Sequence, residues 1–333
     1  MTEVLVVGAG AWGTTVATLV SDRAHVALWV HGADTLETLK RSRENVVYLP
    51  GIRLPDSIDL TDDLAGAWRL ADAIILAVPV QRLRSLLRRL VPELGQLDKP
   101  LLNLSKGLEL ETHLRVSQLL CDDLGIADYD HFAGLSGPNF APEIARQMPA
   151  ATVIASRGPW VRRYFQELLS SATLRAYTSA DLIGVELGGA LKNVYAIGAG
   201  ISDGLGFGDS SKASLIVRSL HELAGVGRAF GADPLTLNGL AGAGDLIATS
   251  FSKLSRNRMA GEAIGKGALP SEVQPGQRAV IEGLPTLEAL AKMAELSNID
   301  LPVVQQLHEI VAGGITPLVG LQHLMHREAK SEF

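Results

Sequence analysis

Residues 4–20 constrain this chain more than any other stretch. Val4 to Val7 is a short aliphatic, mostly β-branched run, the pattern of a strand buried on both faces. It leads straight into Gly8-Ala9-Gly10-Ala11-Trp12-Gly13, and Thr14 to Val20 continue as a helix. In this G-x-G-x-x-G pattern the first glycine permits a tight turn and the second lets backbone approach a pyrophosphate. The third lets helix pack close to strand. The helix N-terminus, opened by Ala11 and Trp12, then turns free N–H groups toward the anion. Three glycines at this spacing are weak evidence alone. Placed between a strand and a helix at the start of the chain, they predict a dinucleotide-binding unit.

The rest of the first half repeats the alternation. Buried-strand signals recur at His25 to Val30, Asp72 to Val78, Leu101 to Leu104, Phe132 to Leu135, Ala151 to Ala155 and Leu174 to Tyr177. Strands alternating with helices predict an α/β fold, a Rossmann-like doubly wound parallel sheet. After Asp181 strand signals fade and helical periodicity takes over. We therefore expect a dinucleotide-binding domain over residues 1–181 and an α-helical substrate domain over 182–333. Two domains are the default for 333 residues.

Composition excludes several classes. A net charge of −6 argues against nucleic acid or an acidic membrane surface as partner. Cys121 is the single cysteine, so no internal disulfide or cysteine-rich metal site can form. His323 and His326 lie a turn apart without a third ligand, and no metal is expected. The N-terminus lacks a secretory pattern. The longest apolar stretch, Leu182 to Ile201, carries Glu186, Lys192 and Asn193, which makes it a poor membrane span. A cytoplasmic protein is the expectation.

Several residues carry candidate chemistry. The second strand ends in Val30-His31-Gly32-Ala33, where NAD-specific folds place an acid for the ribose 2′-hydroxyl; the nearest acid here is Asp34. Its displacement removes a repulsion against a 2′-phosphate, to which His31 could donate. NADPH is favoured over NADH, although an exposed loop histidine explains His31 as well. Glu44 to Gly51, including Tyr48, reads as a loop near the cofactor cleft. Lys106 follows a strand at its carboxyl end, where doubly wound folds bind ligands; an ordinary surface lysine is the alternative. Gly137 and Asn139 stand in a Gly-Pro turn at the same edge of the sheet.

In the second half, Leu187 to Ser202 holds one charged residue, Lys192, among many small ones. Burial is costly for an ammonium and lowers its pKa. A stem that snorkels its charge to water is one explanation, and proton transfer in an apolar cleft is the other. Asn238 to Thr249 is a second glycine-rich stretch with one carboxylate, Asp245; its glycines could simply cap a helix. Ser255 fits an N-cap, which puts Arg256 and Asn257 in a first helical turn. A cation there opposes the helix dipole, and an anion between them would explain it. A solvated charge cluster is the bland alternative.

Collected, these segments resemble bacterial-type NAD(P)-dependent glycerol-3-phosphate dehydrogenase nearly end to end. The shared motifs are GAGAWGT (Gly8 to Thr14), AVPVQ (Ala77 to Gln81), SKGLE (Ser105 to Glu109) and SGPNFAPE (Ser136 to Glu143). The block from Glu186 to Gly208, GLAGAGDLIATS (Gly239 to Ser250), SRNR (Ser255 to Arg258) and VIEG (Val280 to Gly283) complete the set. The resemblance implies reversible reduction of dihydroxyacetone phosphate to sn-glycerol 3-phosphate, for glycerophospholipid synthesis. It implies Lys192 as acid–base group, with Lys106 and Asp245 around the reacting carbon.

By the same resemblance Ser255, Arg256 and Asn257 hold the substrate phosphate, while Gly137 and Asn139 line the substrate. Trp12, His31, Tyr48, Lys106, Ala141, Arg256, Val280 and Glu282 would contact NADPH or NADH, and a homodimer is expected. Three positions depart from the usual pattern: Asn139 where Ser or Thr is general, His31 where Arg is usual, and Ser210-Ser211 where Asn-Ala is common. The rival readings are a dehydrogenase of a β-hydroxy acid and a cofactor-binding redox sensor without turnover.

Overall fold

β1 (Thr2–Val7) is the strand from which the sheet grows in both directions. The computed structural model describes residues 2–94, 99–125, 129–273, 280–329 and 331. After β1 come α1 (Ala11–Val20), β2 (Ala24–Trp29), α2 (Ala33–Ser42), β3 (Ile58–Thr61), α3 (Leu64–Leu70), β4 (Ala73–Leu76) and α4 (Val80–Leu94). Next are β5 (Leu101–Asn103), α5 (Val116–Leu124), β6 (Phe132–Ser136), α6 (Ala141–Ala145), β7 (Ala150–Ala155), α7 (Pro159–Leu169) and β8 (Leu174–Ser179). Helices then follow without strands among the described residues: α8 (Leu182–Gly204), α9 (Asp209–Phe230), α10 (Pro234–Asn238) and α11 (Asp245–Phe251). The last four are α12 (Arg256–Gly265), α13 (Gly283–Leu296), α14 (Pro302–Val311) and α15 (Pro317–Met325).

The strand order is β3-β2-β1-β4-β5-β6-β7-β8. It reverses between β1 and β4, which opens a crevice outside their carboxyl ends. Alternation along the strands fills both faces. Val4, Val6, Ala73 and Ile75 enter one apolar cluster, and Leu5, Val7, Ile74 and Leu76 enter another on the opposite side. The α/β class and the sheet-then-helix organisation hold. Two expectations do not. Ile58–Thr61 adds an edge strand beside β2 that strand signals did not mark, because half of its residues are polar. The sheet is also not wholly parallel, since β7 runs antiparallel to β6. The cause is α6: five residues rise about 7.5 Å, too little to return the chain along the sheet for a parallel strand.

α8 is the axis of the helical half. Asp181 caps it by accepting from the Gly184 N–H at 2.8 Å. Its small residues are sites of close approach, as their number predicts. A Cβ on Gly200 would lie 2.0 Å from the Arg258 carbonyl of α12, and one on Gly261 of α12 would lie 1.9 Å from the Ile197 carbonyl. Backbones in such contact leave α12 no freedom to slide against α8.

Candidate active site

The turn after β1 has the shape that a pyrophosphate requires. Gly8 adopts φ 110°, and a Cβ there would meet the Ala77 carbonyl at 2.6 Å. A Cβ on Gly13 would sit 1.9 Å from the Gly8 carbonyl. Gly10 differs, with nothing within 4 Å of where its Cβ would stand. No side chain caps α1, so the N–H groups of Ala11 and Trp12 open onto that gap. These residues fit a dinucleotide.

Asn45, which sequence reasoning passed over, fastens the next loop to this turn. It is buried, and its Nδ2 donates to the Ala9 carbonyl and to Thr14 Oγ1, both at 2.8 Å. The Tyr48 N–H donates to Asn45 Oδ1 at 3.2 Å, so exposed Tyr48 stands beside the glycine turn. His31 is exposed just past β2, its ring 5.7 Å from that of Trp29. Ala141 is buried against α1, where Thr15 Oγ1 donates to its carbonyl.

Lys192 does not snorkel. It is 7 % exposed, and its Nζ donates to Asp245 Oδ1 at 2.5 Å and to Thr249 Oγ1 at 2.8 Å. Lys106 reaches the same carboxylate from the end of β5, donating to Asp245 Oδ2 at 2.6 Å and to the Gly137 carbonyl at 3.1 Å. Ser136 Oγ stands 3.2 Å and the Gly137 N–H 3.4 Å from the same Oδ2. Asp245, 1 % exposed, is thus the meeting point of the two halves. It opens α11 directly after a π-helical turn over Leu240–Gly244, a distortion frequent at functional sites. Two of the glycines in this stretch do stand at helix caps, Gly239 after α10 and Gly244 before α11. Gly242 has a different role: a Cβ there would lie 2.0 Å from the Leu237 carbonyl, so it allows close packing.

Electrostatics follow from burial and pairing. Burial drives the Lys192 ammonium down to about 8; Asp245 opposes that shift, and Lys106 adds to it. Burial works to raise the Asp245 carboxyl, but Lys106 and Lys192 outweigh it and hold it below the usual carboxylate range. The result is an ammonium poised near physiological pH against a fixed negative charge. Thr249 was unmarked by sequence reasoning, although its spacing, one helical turn after Asp245, is the signal that could have found it.

Ser255 is the N-cap of α12, its Oγ accepting from the Arg258 N–H at 3.2 Å. Arg256 is exposed in the first turn. Asn257 is occupied internally: Nδ2 donates to Asn193 Oδ1 and Oδ1 accepts from the Gly283 N–H, both at 2.9 Å. Its side chain ties α12 to α8 and α13, which leaves its backbone N–H for a ligand. Asn139 Nδ2 donates to the Ala151 carbonyl at 2.9 Å, while its Oδ1 is buried with no partner among the described residues. Glu282 has one carboxylate oxygen shut off from solvent and without a partner among the described residues. Burial pushes it up to about 7, against the pull of Arg256 and the Val80 N–H. Val280 is exposed. Among the described residues no cluster of three His, Cys, Asp or Glu could hold a metal.

Comparison with known proteins agrees along nearly the whole chain. Residues 3–160 match the family model described as NAD-dependent glycerol-3-phosphate dehydrogenase N-terminus, and residues 181–322 match that of its C-terminus. The chain is 40% identical over 326 residues to a glycerol-3-phosphate dehydrogenase (NAD(P)+) of Pelotomaculum thermopropionicum, covering 98% of this chain and 93% of the relative. It is 42% identical over 328 residues to one of Streptomyces griseus, covering 98% and 97%. The crystal structure of glycerol-3-phosphate dehydrogenase from Coxiella burnetii superposes with a TM-score of 0.92 at 32% identity, covering 98% of this chain and 99% of that one.

Proposed function

The chain belongs to the NAD-dependent glycerol-3-phosphate dehydrogenase family, and on that premise we propose how its residues carry the reaction. It is an NAD(P)-dependent oxidoreductase that interconverts dihydroxyacetone phosphate and sn-glycerol 3-phosphate. The observation that carries the mechanism is the buried Lys192 ammonium aimed at Asp245. A bound nicotinamide supplies the hydride to the carbonyl carbon, or accepts it in the reverse direction. Everything else falls to the protein.

An ammonium has three N–H donors. Lys192 directs two of them to Asp245 and Thr249. The third meets the ketone oxygen, stabilises the charge that grows there and transfers the proton. In oxidation, neutral Lys192 takes the hydroxyl proton. Lys106 likewise has one donor beyond Asp245 and Gly137, and it orients the substrate oxygen beside the wall formed by Gly137 and Asn139. Arg256 and the free N–H groups of Arg256 and Asn257 at the start of α12 grip the phosphate. The contact of α12 with α8 fixes the distance between the phosphate and Lys192.

Trp12, His31, Tyr48, Ala141, Val280 and Glu282 border the cofactor in this reading, and NADPH is preferred because no carboxylate ends β2. The domain boundary is placed at Asp181/Leu182, where β8 gives way to α8. A cytoplasmic homodimer supplying glycerophospholipid synthesis completes the proposal. It is supported by the apolar residues Val217, Ile247, Phe251 and Leu254 exposed on the helical half, and no described helix is long and apolar enough to cross a membrane.

Oxidation of NADPH and of NADH, each with dihydroxyacetone phosphate, tests the reaction and the preference together. Lys192→Ala lowers turnover by about 10²-fold or more, while cofactor affinity changes by less than about twofold. Turnover that survives the substitution removes Lys192 from the chemistry.

A further inference from the structure

We propose that Ser136 is a positioning residue for the acid–base lysine: its hydroxyl, donated to Asp245 Oδ2, sets how firmly the carboxylate holds the proton on Lys192. The proposal rests on the reading of Lys192 as the acid–base group.

The two oxygens of Asp245 serve different halves of the molecule. Oδ2 receives Lys106 Nζ at 2.6 Å, Ser136 Oγ at 3.2 Å and the Gly137 N–H at 3.4 Å, all from strand ends of the sheet. Oδ1 receives Lys192 Nζ at 2.5 Å and Thr249 Oγ1 at 3.4 Å, both from the helices. Ser136 is therefore the uncharged side-chain donor on the sheet side. Its single proton has two takers, because the Ala241 carbonyl lies 3.5 Å away. The carboxylate is nearer and charged, so it takes the proton.

The serine has no room to turn elsewhere. It is 1 % exposed, and Thr152 Oγ1 donates to its carbonyl at 3.2 Å. On the opposite side α8 presses against it at Gly189, where a Cβ would lie 2.6 Å from Ser136 Oγ. Gly189 precedes Lys192 by about one helical turn. The glycine thus lets the end of β6 reach the carboxylate beside the lysine.

Each donor to Asp245 draws off part of its charge. Removing one leaves more charge on the carboxylate and raises the proton affinity of the ammonium beside it. Among the described residues, the charged groups that face Asp245 are Lys106 and Lys192. Several other charges on elements packed around α8 are engaged elsewhere. Arg258 pairs with Asp203 and Glu262, Glu186 with Arg115, Glu222 with N–H groups of α14, and Arg256 acts on Glu282. Ser136 adjusts the Lys–Asp–Lys group without altering its net charge.

The experiment compares Ser136→Ala and Ser136→Cys with the wild type, following kcat, KM and the pH profile of kcat/KM for dihydroxyacetone phosphate reduction. Ser136→Ala moves the high-pH limb upward by about half a unit to one unit. It lowers kcat near neutrality by about three- to tenfold and leaves KM within about twofold. Ser136→Cys keeps a side chain but offers only a weak donor, so its limb follows that of Ser136→Ala. A cysteine variant with the wild-type limb and rate would show a packing role and overturn the proposal. So would a limb that neither variant moves. Thermal melting of both variants identifies one that is merely unfolded, and the other then decides. A flat wild-type profile overturns the acid–base reading of Lys192 and this role with it; a wild-type limb left in place by Ser136→Ala overturns this role alone.

Discussion

The two halves build their shares of one site by opposite means. Among the described residues, the sheet half buries mostly neutral polar groups, such as Thr14, Thr15, Asn45, Asn103 and Ser136, with Glu109 the charged exception. The helical half buries Lys192, Lys212, Glu222, Asp245 and Arg258. Their glycine-rich turns differ in the same sense. Gly10 guards an open gap in front of free N–H groups, whereas Gly242 presses into the Leu237 carbonyl and delivers Asp245 to the lysines. Similar composition therefore serves a ligand in one half and internal packing in the other. In the proposed mechanism, backbone dipoles hold the cofactor and buried charges do the proton chemistry.

The contrast can be broken by experiment, most forcefully at Asp245. Asp245→Asn leaves two lysines around a group that accepts through one oxygen only. It costs about 3–5 kcal/mol of stability and about 10²-fold or more in turnover. Denaturant unfolding and steady-state kinetics read both, and a variant as stable as the wild type would refute the charge-based account of the helical half. Gly10→Ala separates binding from folding. It weakens cofactor binding by roughly ten- to a hundredfold, with the melting temperature unchanged, because beyond its chain neighbours no atom of the described residues lies within 4 Å of the new Cβ. Calorimetric titration and a melting curve decide; a large drop in melting temperature would contradict the open gap.

The pH dependence sharpens the helical side. With Lys192 as the proposed acid–base group, reduction needs its protonated form, so kcat/KM is expected to hold steady up to about 8 and to fall roughly tenfold per pH unit above it. Oxidation needs the neutral amine and rises through the same region. A smaller effect comes from Glu222, which accepts from the Val303 and Val304 N–H groups at the start of α14. Burial raises it from 4.5 to about 7, against those two N–H groups. The folded state thus binds more protons than the unfolded state between these values, and stability falls as pH rises through that window. Glu222→Gln flattens the fall by on the order of 1 kcal/mol, as melting at pH 5 and pH 8 would show.

Much of the fold was legible because its causes are local. β1 alternates between two apolar clusters, and the turn after it needs glycine at φ 110°. Ser255 caps α12 as its residue type and position foretold. β3 escaped notice because it is a short edge strand with two polar residues in four. Within the site, Lys192 was marked by its isolation in an apolar run, yet periodicity could not say whether its charge points out or in. Asn257 was placed in the right helical turn, but its side chain ties helices together. Asn45, Ser136 and Thr249 look like ordinary polar residues until their partners are known.

What the sequence determined by itself was the alternation of strands and helices, the pyrophosphate-shaped turn, and a motif set that points to one family. Tertiary structure decided the reversed direction of β7, the inward course of the Lys192 ammonium and the convergence on Asp245. The reason is range. Backbone preference and hydrophobic period act between near neighbours in the chain, whereas Asp245 meets Lys192, Ser136 and Lys106 across 53, 109 and 139 residues. Charges so far apart along the chain meet only where close-packed backbones bring them together and shut out water.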